Sequence, residues 1–325
     1  MGVDLLSQND YSIAHHALDH YQMSDCRIEF LGQSDNVTFR VVPKSSSGSF
    51  LLKILNPSYS LTMIESELLW LEAISKDTEL VTPLPMRNKT GHLVTKLVTA
   101  DEHKSVYVTM QYWVEGEVLD RQPEPAEILS LGSLMSTLHT HAQSWTVPAG
   151  FNRPLYGTDH MHTSCKQIKL LVDNGIIDSA TYEVILQTEA VIDREFTRLP
   201  ATKESWGLIH SDLHESNYVF HNGQARPIDF SACGFGYFLF DVAETLLHLT
   251  PDRRQLFVEA YGKYHALPDN YERQIEAFFL WAVFRGYAFH SVNPDEYEYL
   301  SESVPAIANR FCKKYLCGEP FLLRG

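Results

Sequence analysis

Leu208-Ile209-His210-Ser211-Asp212-Leu213-His214-Glu215-Ser216-Asn217, followed by Pro227-Ile228-Asp229-Phe230, is the stretch on which the reading of this chain turns. Apolar fragments alternate there with His, Ser, Asp and Asn, the pattern of short strands broken by polar turns. Two carboxylates and an amide are thereby set in turns between apolar fragments. Phosphoryl transfer asks for such a set: one Asp orients an attacking hydroxyl and takes its proton, while an Asn and a second Asp hold a divalent cation on a triphosphate. Hard oxygen donors are the type that Mg²⁺ prefers. Asn217, five residues after Asp212, can return from a tight loop to share the same place. Taken singly, an Asp or Asn in a loop is a turn former or a helix cap. His210 and His214, four apart, read as a zinc pair or as loop histidines, and no third ligand at metal spacing accompanies them. The weight lies in the combination and its spacing.

Upstream, strand-like runs at Arg27–Leu31, Val37–Val42, Phe50–Leu55, His92–Leu97 and Val106–Val114 are joined by a helical pattern at Leu61–Ile74 and preceded by one at Ile13–Tyr21. Five strands with one inserted helix predict a compact α+β lobe of about 115 residues. Inside it, alternation puts Lys53 on the strand face of Leu51 and Leu55, where a lysine must reach outward or find an anion. At about 100° per residue, Glu67 falls near the middle of the apolar arc of the following helix, whereas Glu65 and Glu72 fall outside it. A carboxylate in an apolar face is costly unless paired, so Lys53 and Glu67 are read as partners, the pair with which kinase-like enzymes grip the α- and β-phosphates. The plainer alternative is a solvated strand face and a flanking Glu. From residue 127 onward the pattern turns helical, at Ile128–His141, Cys165–Val172, Tyr182–Phe196, Val242–His248, Arg254–Tyr264 and Arg273–Phe289. The expected division is a nucleotide-binding lobe over 1–112 and a catalytic, substrate-binding lobe over 113–325, with a hinge near Gln111–Gly116.

His210, Asp212, Asn217 and Ile228-Asp229-Phe230 match the H-x-D-x-x-x-x-N and I-D-F pattern of the aminoglycoside phosphotransferase-like family, which includes choline and homoserine kinases and a bacterial stress-response protein kinase. The chain resembles that family through Gly234, Gly236 and Asp241-Val242-Ala243, and less specifically over nearly its whole length. The resemblance implies a protein-kinase-like two-lobed α+β fold: an N-terminal five-stranded antiparallel sheet lobe and a mainly helical C-terminal lobe. It implies Asp212 as catalytic base, Asn217 and Asp229 as metal ligands, and ATP with Mg²⁺ as cofactors. It also points to Lys53 and Glu67, and to a later Asp, here Asp241, that caps a helix and fixes the catalytic loop. Ser211 stands where most members carry Gly. Leu31–Asn36 sits at the place of the nucleotide-covering loop, although it carries neither GxGxxG nor GxxxxGK[ST] and alone reads as a hairpin. Met110-Gln111-Tyr112-Trp113 is expected to offer hinge backbone groups to adenine, Met110 and Tyr112 being the positions named; by pattern alone it is the end of a buried strand.

Composition narrows the partners. Hydrophobic residues at 44% and charged residues at 21% fit a packed globular protein. A formal charge of −15 disfavours nucleic acid, whose phosphates are held by Lys and Arg. No stretch approaches the length of a membrane span. The beginning of the chain lacks a signal-peptide pattern, and five dispersed cysteines suit neither a disulfide framework nor a zinc ribbon, so the expectation is cytoplasmic. Only eleven residues separate Asp229 from Asp241, too few for an activation loop with a phosphosite and an A-P-E anchor. The expected acceptor is therefore the hydroxyl of a small molecule: an amino alcohol, or a homoserine-like or aminoglycoside-like compound. A Ser/Thr protein kinase of the stress-kinase type and a nucleotide-binding pseudokinase are the alternatives. Retention of Lys53, Glu67, Asp212, Asn217 and Asp229 speaks against the pseudokinase. Phe279–Tyr287 reads as a cation–π wall for a quaternary amine or as helix core, with Arg285 facing an acidic group of substrate or of the protein. His139 reads as a packing histidine, and Ala149–His162 as part of a lid.

Overall fold

The computed structural model describes residues 8–23, 25–44, 48–98 and 105–323. The chain divides into two compact units, one comprising Met1–Gly116, Thr146–Arg153 and Arg226–Ser231, the other the remainder. A single cut between 112 and 113 does not account for the two later segments that fold with the first unit; one of them carries Asp229.

In the first unit, α1 (Gln8–His20) precedes β1 (Cys26–Gln33), β2 (Val37–Pro43), β3 (Phe50–Ile54), α2 (Leu61–Asp77), β4 (Pro85–Met86), β5 (Val94–Val98) and β6 (Ser105–Tyr112). The sheet runs β1-β2-β3-β6-β4, with β5 also on β6, and its ladders are antiparallel. Among the described residues it has six strands rather than five. The extra one, β4, is two residues long, too short to show an alternation in sequence. Ile13, Ala14, Ala17 and Leu18 of α1 pack on Phe39, Val41, Leu52 and Met110, which closes one face of the sheet. The helix α2 begins where the Ser60 hydroxyl accepts from the Met63 amide.

The second unit contains α3 (Pro125–Ser144), β7 (Leu155–Tyr156), α4 (Thr158–Asp173), α5 (Ser179–Phe196), β8 (Trp206–Ile209), β9 (Tyr218–His221), β10 (Gln224–Pro227), whose last residues belong to the first unit, β11 (Gly234–Tyr237), α6 (Phe238–Leu246), α7 (Pro251–Gly262), α8 (Tyr271–His290), α9 (Tyr297–Ile307) and α10 (Lys313–Leu316). Residues 158–162, expected in a lid, are the first turn of α4. The stripe on α8 is helix core: Phe278, Leu280, Trp281 and Phe284 are fully buried, with the Phe240 and Trp281 rings 4.3 Å apart. Beyond Phe289, where the sequence patterns stop, α9 contains Pro305 and passes through a π-helical stretch, Ala308–Cys312, into α10. A proline within a helix removes a backbone donor, and a local change of hydrogen-bond register is a common response. Among the described residues no helix is long and apolar enough to cross a membrane.

Candidate active site

In the first unit, Lys53 is the fourth residue of the five that pair as β3, between β2 and β6, which leaves its side chain almost no water. Its ammonium lies 2.8 Å from Asp229 Oδ1 and 3.0 Å from Ser231 Oγ. Burial pulls the Lys53 pKa down, but the charges of Asp229 and then Glu67 more than offset this and leave it raised. Asp229 shows the complementary balance. Burial would push its carboxyl up, yet the Lys53 ammonium and the bonds from Ser231 hold it well below the usual carboxylate range. Ser231 donates its hydroxyl to Asp229 Oδ1 at 2.7 Å and accepts from Asn36 Nδ2 at 3.3 Å, so the loop after β1 is tied to this cluster.

The expected direct pairing of Lys53 with Glu67 is not what forms. Lys53 closes on Asp229, and Glu67 lies 3.8 Å from the guanidinium of Arg153, acting on Lys53 only at longer range. Arg153 is 5% exposed and also donates to the carbonyls of Met63 and Ser231. A second buried cation thus takes the Glu67 carboxylate. Met110 is fully buried in the sheet's core, and the Tyr112 amide donates to the Leu84 carbonyl while its half-exposed ring lies 5.3 Å from Phe50.

The second unit holds the other cluster. After β8 the chain makes a turn through Ser211, whose φ is 66°, into Asp212. A left-handed conformation costs a non-glycine residue about 1–2 kcal/mol and persists only where surroundings enforce it. Here the His210 and Ser211 amides donate to the two carboxylate oxygens of Asp241, at 2.9 and 2.6 Å. Asp241 lies inside the first turn of α6 and fixes the loop, as the resemblance implies, although the residue preceding that helix is Tyr237 and Asp241 is not its cap. His139, bonded to Asp241 at 3.0 Å and to the Tyr261 hydroxyl at 2.9 Å, is the packing histidine expected.

Asn217 donates its amide to the Asp212 backbone carbonyl at 2.8 Å and to Asp212 Oδ2 at 2.9 Å. That orients the Asp212 carboxylate and leaves the Asn217 carbonyl oxygen outside these bonds. His214 Nε2 stands 3.0 Å from the same amide, and its pKa is raised: burial lowers it, but the bond and charge of Asp212 more than offset this. Arg285 donates to the Ser211 carbonyl and hydroxyl at 2.7 and 2.8 Å, with Glu244 Oε1 at 3.0 Å and Asp212 Oδ1 at 3.6 Å. Burial pushes the Glu244 carboxyl up to about 7 against the opposing charge of Arg285.

Each cluster therefore retains an uncommitted hard oxygen, Asp229 Oδ2 in one and Asn217 Oδ1 in the other. Among the described residues no three His, Cys, Asp or Glu side chains gather to cage a metal. Each of these oxygens, taken by itself, is of the hard type that suits a cation keeping water and phosphate oxygens in its shell, which is the habit of Mg²⁺. Arg153, Ser231 and Glu244 were not singled out by sequence; only Arg285 carried a signal, as a cation inside an apolar stripe.

The phosphotransferase enzyme family APH matches residues 27–278 of the chain. The chain belongs to that family. Its fold is the protein-kinase-like α+β fold of this family, an antiparallel N-terminal sheet followed by a helical region. Amicoumacin kinase of Bacillus subtilis is 22% identical over 238 residues, 72% of this chain and 66%, just under two thirds, of that kinase. The structure of a microcompartment-associated aminopropanol kinase superposes with a TM-score of 0.82 at 23% identity, covering 95% of this chain and 98% of the other. An amicoumacin kinase in complex with AMP-PNP and Ca²⁺ gives a TM-score of 0.74 at 20% identity, covering 96% and 94%. In this APH-family chain the H-x-D-x-x-x-x-N motif is the loop from His210 to Asn217, and the I-D-F motif delivers Asp229 to Lys53.

Proposed function

We propose that this chain transfers the γ-phosphate of ATP to a hydroxyl of a small molecule, with Asp212 as base and Mg²⁺ as the metal. The observation that carries the reading is the loop in which Asn217 aims the Asp212 carboxylate while Asp241 holds the backbone beneath it. In the reaction the acceptor oxygen bonds to the γ-phosphorus, the bond from that phosphorus to the β,γ-bridging oxygen breaks, ADP leaves, and the hydroxyl proton passes to Asp212. Lys53 supports the phosphates, with Glu67 and Arg153 fixing the helix beside it. Asn217 and Asp229 would hold the metal, which when bound supplies charge neutralisation at the phosphates. Tyr112 and the segment after it are assigned to adenine, Met110 supporting them from the core.

A small acceptor is favoured because residues 230–240 are fully committed to structure. They form a short helical turn, the strand β11 and the start of α6, leaving no free activation segment for a protein substrate. Relatives named for aminopropanol and amicoumacin support hydroxylated amines as the first class to test.

The test is transfer of label from ATP with Mg²⁺ to a panel of amino alcohols, homoserine, aminoglycosides and other hydroxylated antibiotics, with a protein mixture alongside. Wild-type protein is expected to label one small acceptor, and Asp212→Asn to lose at least about 10³-fold in kcat while nucleotide affinity stays within roughly threefold. Undiminished turnover in Asp212→Asn, or labelling of protein alone, would overturn the proposal.

A further inference from the structure

Ser211 occupies a left-handed turn that glycine adopts freely, so its side chain needs a reason to be there. The geometry points to Arg285 as a positioning residue for Asp212, gripping the carbonyl and the hydroxyl of Ser211 and so holding the turn that presents the base. This rests on the proposed function of Asp212.

The two sides of Ser211 are held by opposite charges. Its amide donates to the buried carboxylate of Asp241 on α6, and its carbonyl and Oγ both accept from Nη1 of Arg285 on α8. The hydroxyl gives the guanidinium a second acceptor that glycine could not. Both hydrogens of Nη1 are thereby used, which explains why Glu244 Oε1, only 3.0 Å away, has no hydrogen bond. Nη2 faces Asp212 Oδ1 at 3.6 Å, close enough to bias the carboxylate's orientation from the side opposite Asn217, which holds Oδ2. The Tyr156 and Phe240 rings stand 5.4 and 5.8 Å from the guanidinium and confine it. The Arg285 side chain is 21% exposed and both hydrogens of its Nη1 are committed to the loop, which ties it to the protein.

The prediction concerns coupling. Arg285→Gln should lower kcat roughly 100-fold, the usual consequence of a small misplacement of a reacting group, with KM for ATP within about threefold. Arg285→Lys, which keeps the charge but reaches fewer acceptors, should recover part of this. Ser211→Gly should not lower the melting temperature, because glycine accepts the turn, yet kcat should fall about threefold. In the double variant Ser211→Gly/Arg285→Gln the effects should not multiply: its kcat should stay within about twofold of Arg285→Gln alone. Hydrogen–deuterium exchange supplies a readout independent of turnover. The peptide spanning 208–214 should exchange faster in Arg285→Gln, while the α3 and α7 peptides keep wild-type rates. If wild-type protein transfers no phosphate, the reading of Asp212 fails while the exchange result still decides the clamp. Unchanged kcat and exchange in Arg285→Gln, or effects that multiply in the double variant, would overturn the clamp. Should Arg285→Gln not fold, Ser211→Gly and Arg285→Lys decide by the same kcat and exchange criteria.

Discussion

At the scale of single residues, both clusters solve one problem: how to keep charges where water is scarce without neutralising them. Lys53 is 2% exposed and remains a cation because Asp229 stands at 2.8 Å. Glu67, 8% exposed, is matched by Arg153 rather than by the lysine assigned to it from sequence. A buried charge deprived of its partner costs more than the pair is worth, so removing one member should be worse than removing both. Arg153→Met is expected to destabilise the protein by about 2–4 kcal/mol, and adding Glu67→Gln should return a good part of that. Urea denaturation of the two variants checks this; a double variant no more stable than the single would show that Glu67 does not depend on Arg153. Ser231→Ala tests the role in phosphate binding proposed for the Lys53 cluster. It deletes contacts to Lys53, Asp229 and Asn36 together, and KM for ATP should rise about tenfold through loss of roughly 1.4 kcal/mol. An unchanged KM would make Ser231 incidental. Lys53, Asp212, Asn217 and Asp229 were legible because each stands at a telling place in a local pattern. Arg153 was not: it meets Met63, 90 positions away, from a stretch of Gly, Pro and Asn whose composition reads as part of a lid and gives no sign of a buried cation.

At the scale of elements, the strand β11 explains why the chain after Asp229 is so short. It pairs antiparallel with β8, which leads to the Asp212 loop, and parallel with β7. Its glycines are there for space. A Cβ on Gly234 would lie 2.6 Å from the Pro154 carbonyl oxygen and 2.7 Å from the Tyr156 ring, and neither backbone nor packed ring can retreat cheaply. Gly234→Ala should therefore cost about 1–3 kcal/mol. In Gly286, inside α8, the same added methyl meets nothing within 4 Å, and Gly286→Ala should stabilise by about 0.5–1 kcal/mol. Melting curves of the two variants should move in opposite directions; a shift of the same sign would mean that the spaces differ from those described. Hydrophobic period found the long helices α2, α3, α5 and α8, since burying one face imposes the 3.6-residue repeat. It missed the first seven residues of α4, where His160, His162 and Asp159 blur that repeat, and it had no purchase on a two-residue strand. The kinase-like class needed only the polar motif and the run of strands before it, whereas the membership of 146–153 and 226–231 in the first unit depends on contacts between distant positions.

For the whole molecule, acid stability gathers these local choices into one measurable curve. His265 is 6% exposed, between the rings of Phe238 and Tyr261, and burial followed by the charge of His139 pulls its pKa down to about 4. The unfolded chain protonates the same histidine near pH 6.5. Between those values the unfolded state binds the extra proton, so this contribution is complete above about pH 6.5 and shrinks as pH falls toward 4. Glu244 works in the opposite sense. Its carboxyl, raised to about 7, keeps a proton in the folded state that the unfolded chain releases. Its contribution is therefore full below about pH 4.5 and is lost as pH rises through 7. In the native protein the two trends partly cancel, and the stability profile near pH 5–7 should be flatter than His265 alone would make it. His265→Gln removes one side of that balance. Relative to this variant, the native protein should lose roughly 2 kcal/mol of stability between pH 7 and pH 5, the difference staying constant above pH 7. Urea denaturation of both proteins at half-unit steps from pH 5 to 8 measures it. Parallel profiles would mean that His265 titrates normally and that the ring cluster around it admits the imidazolium.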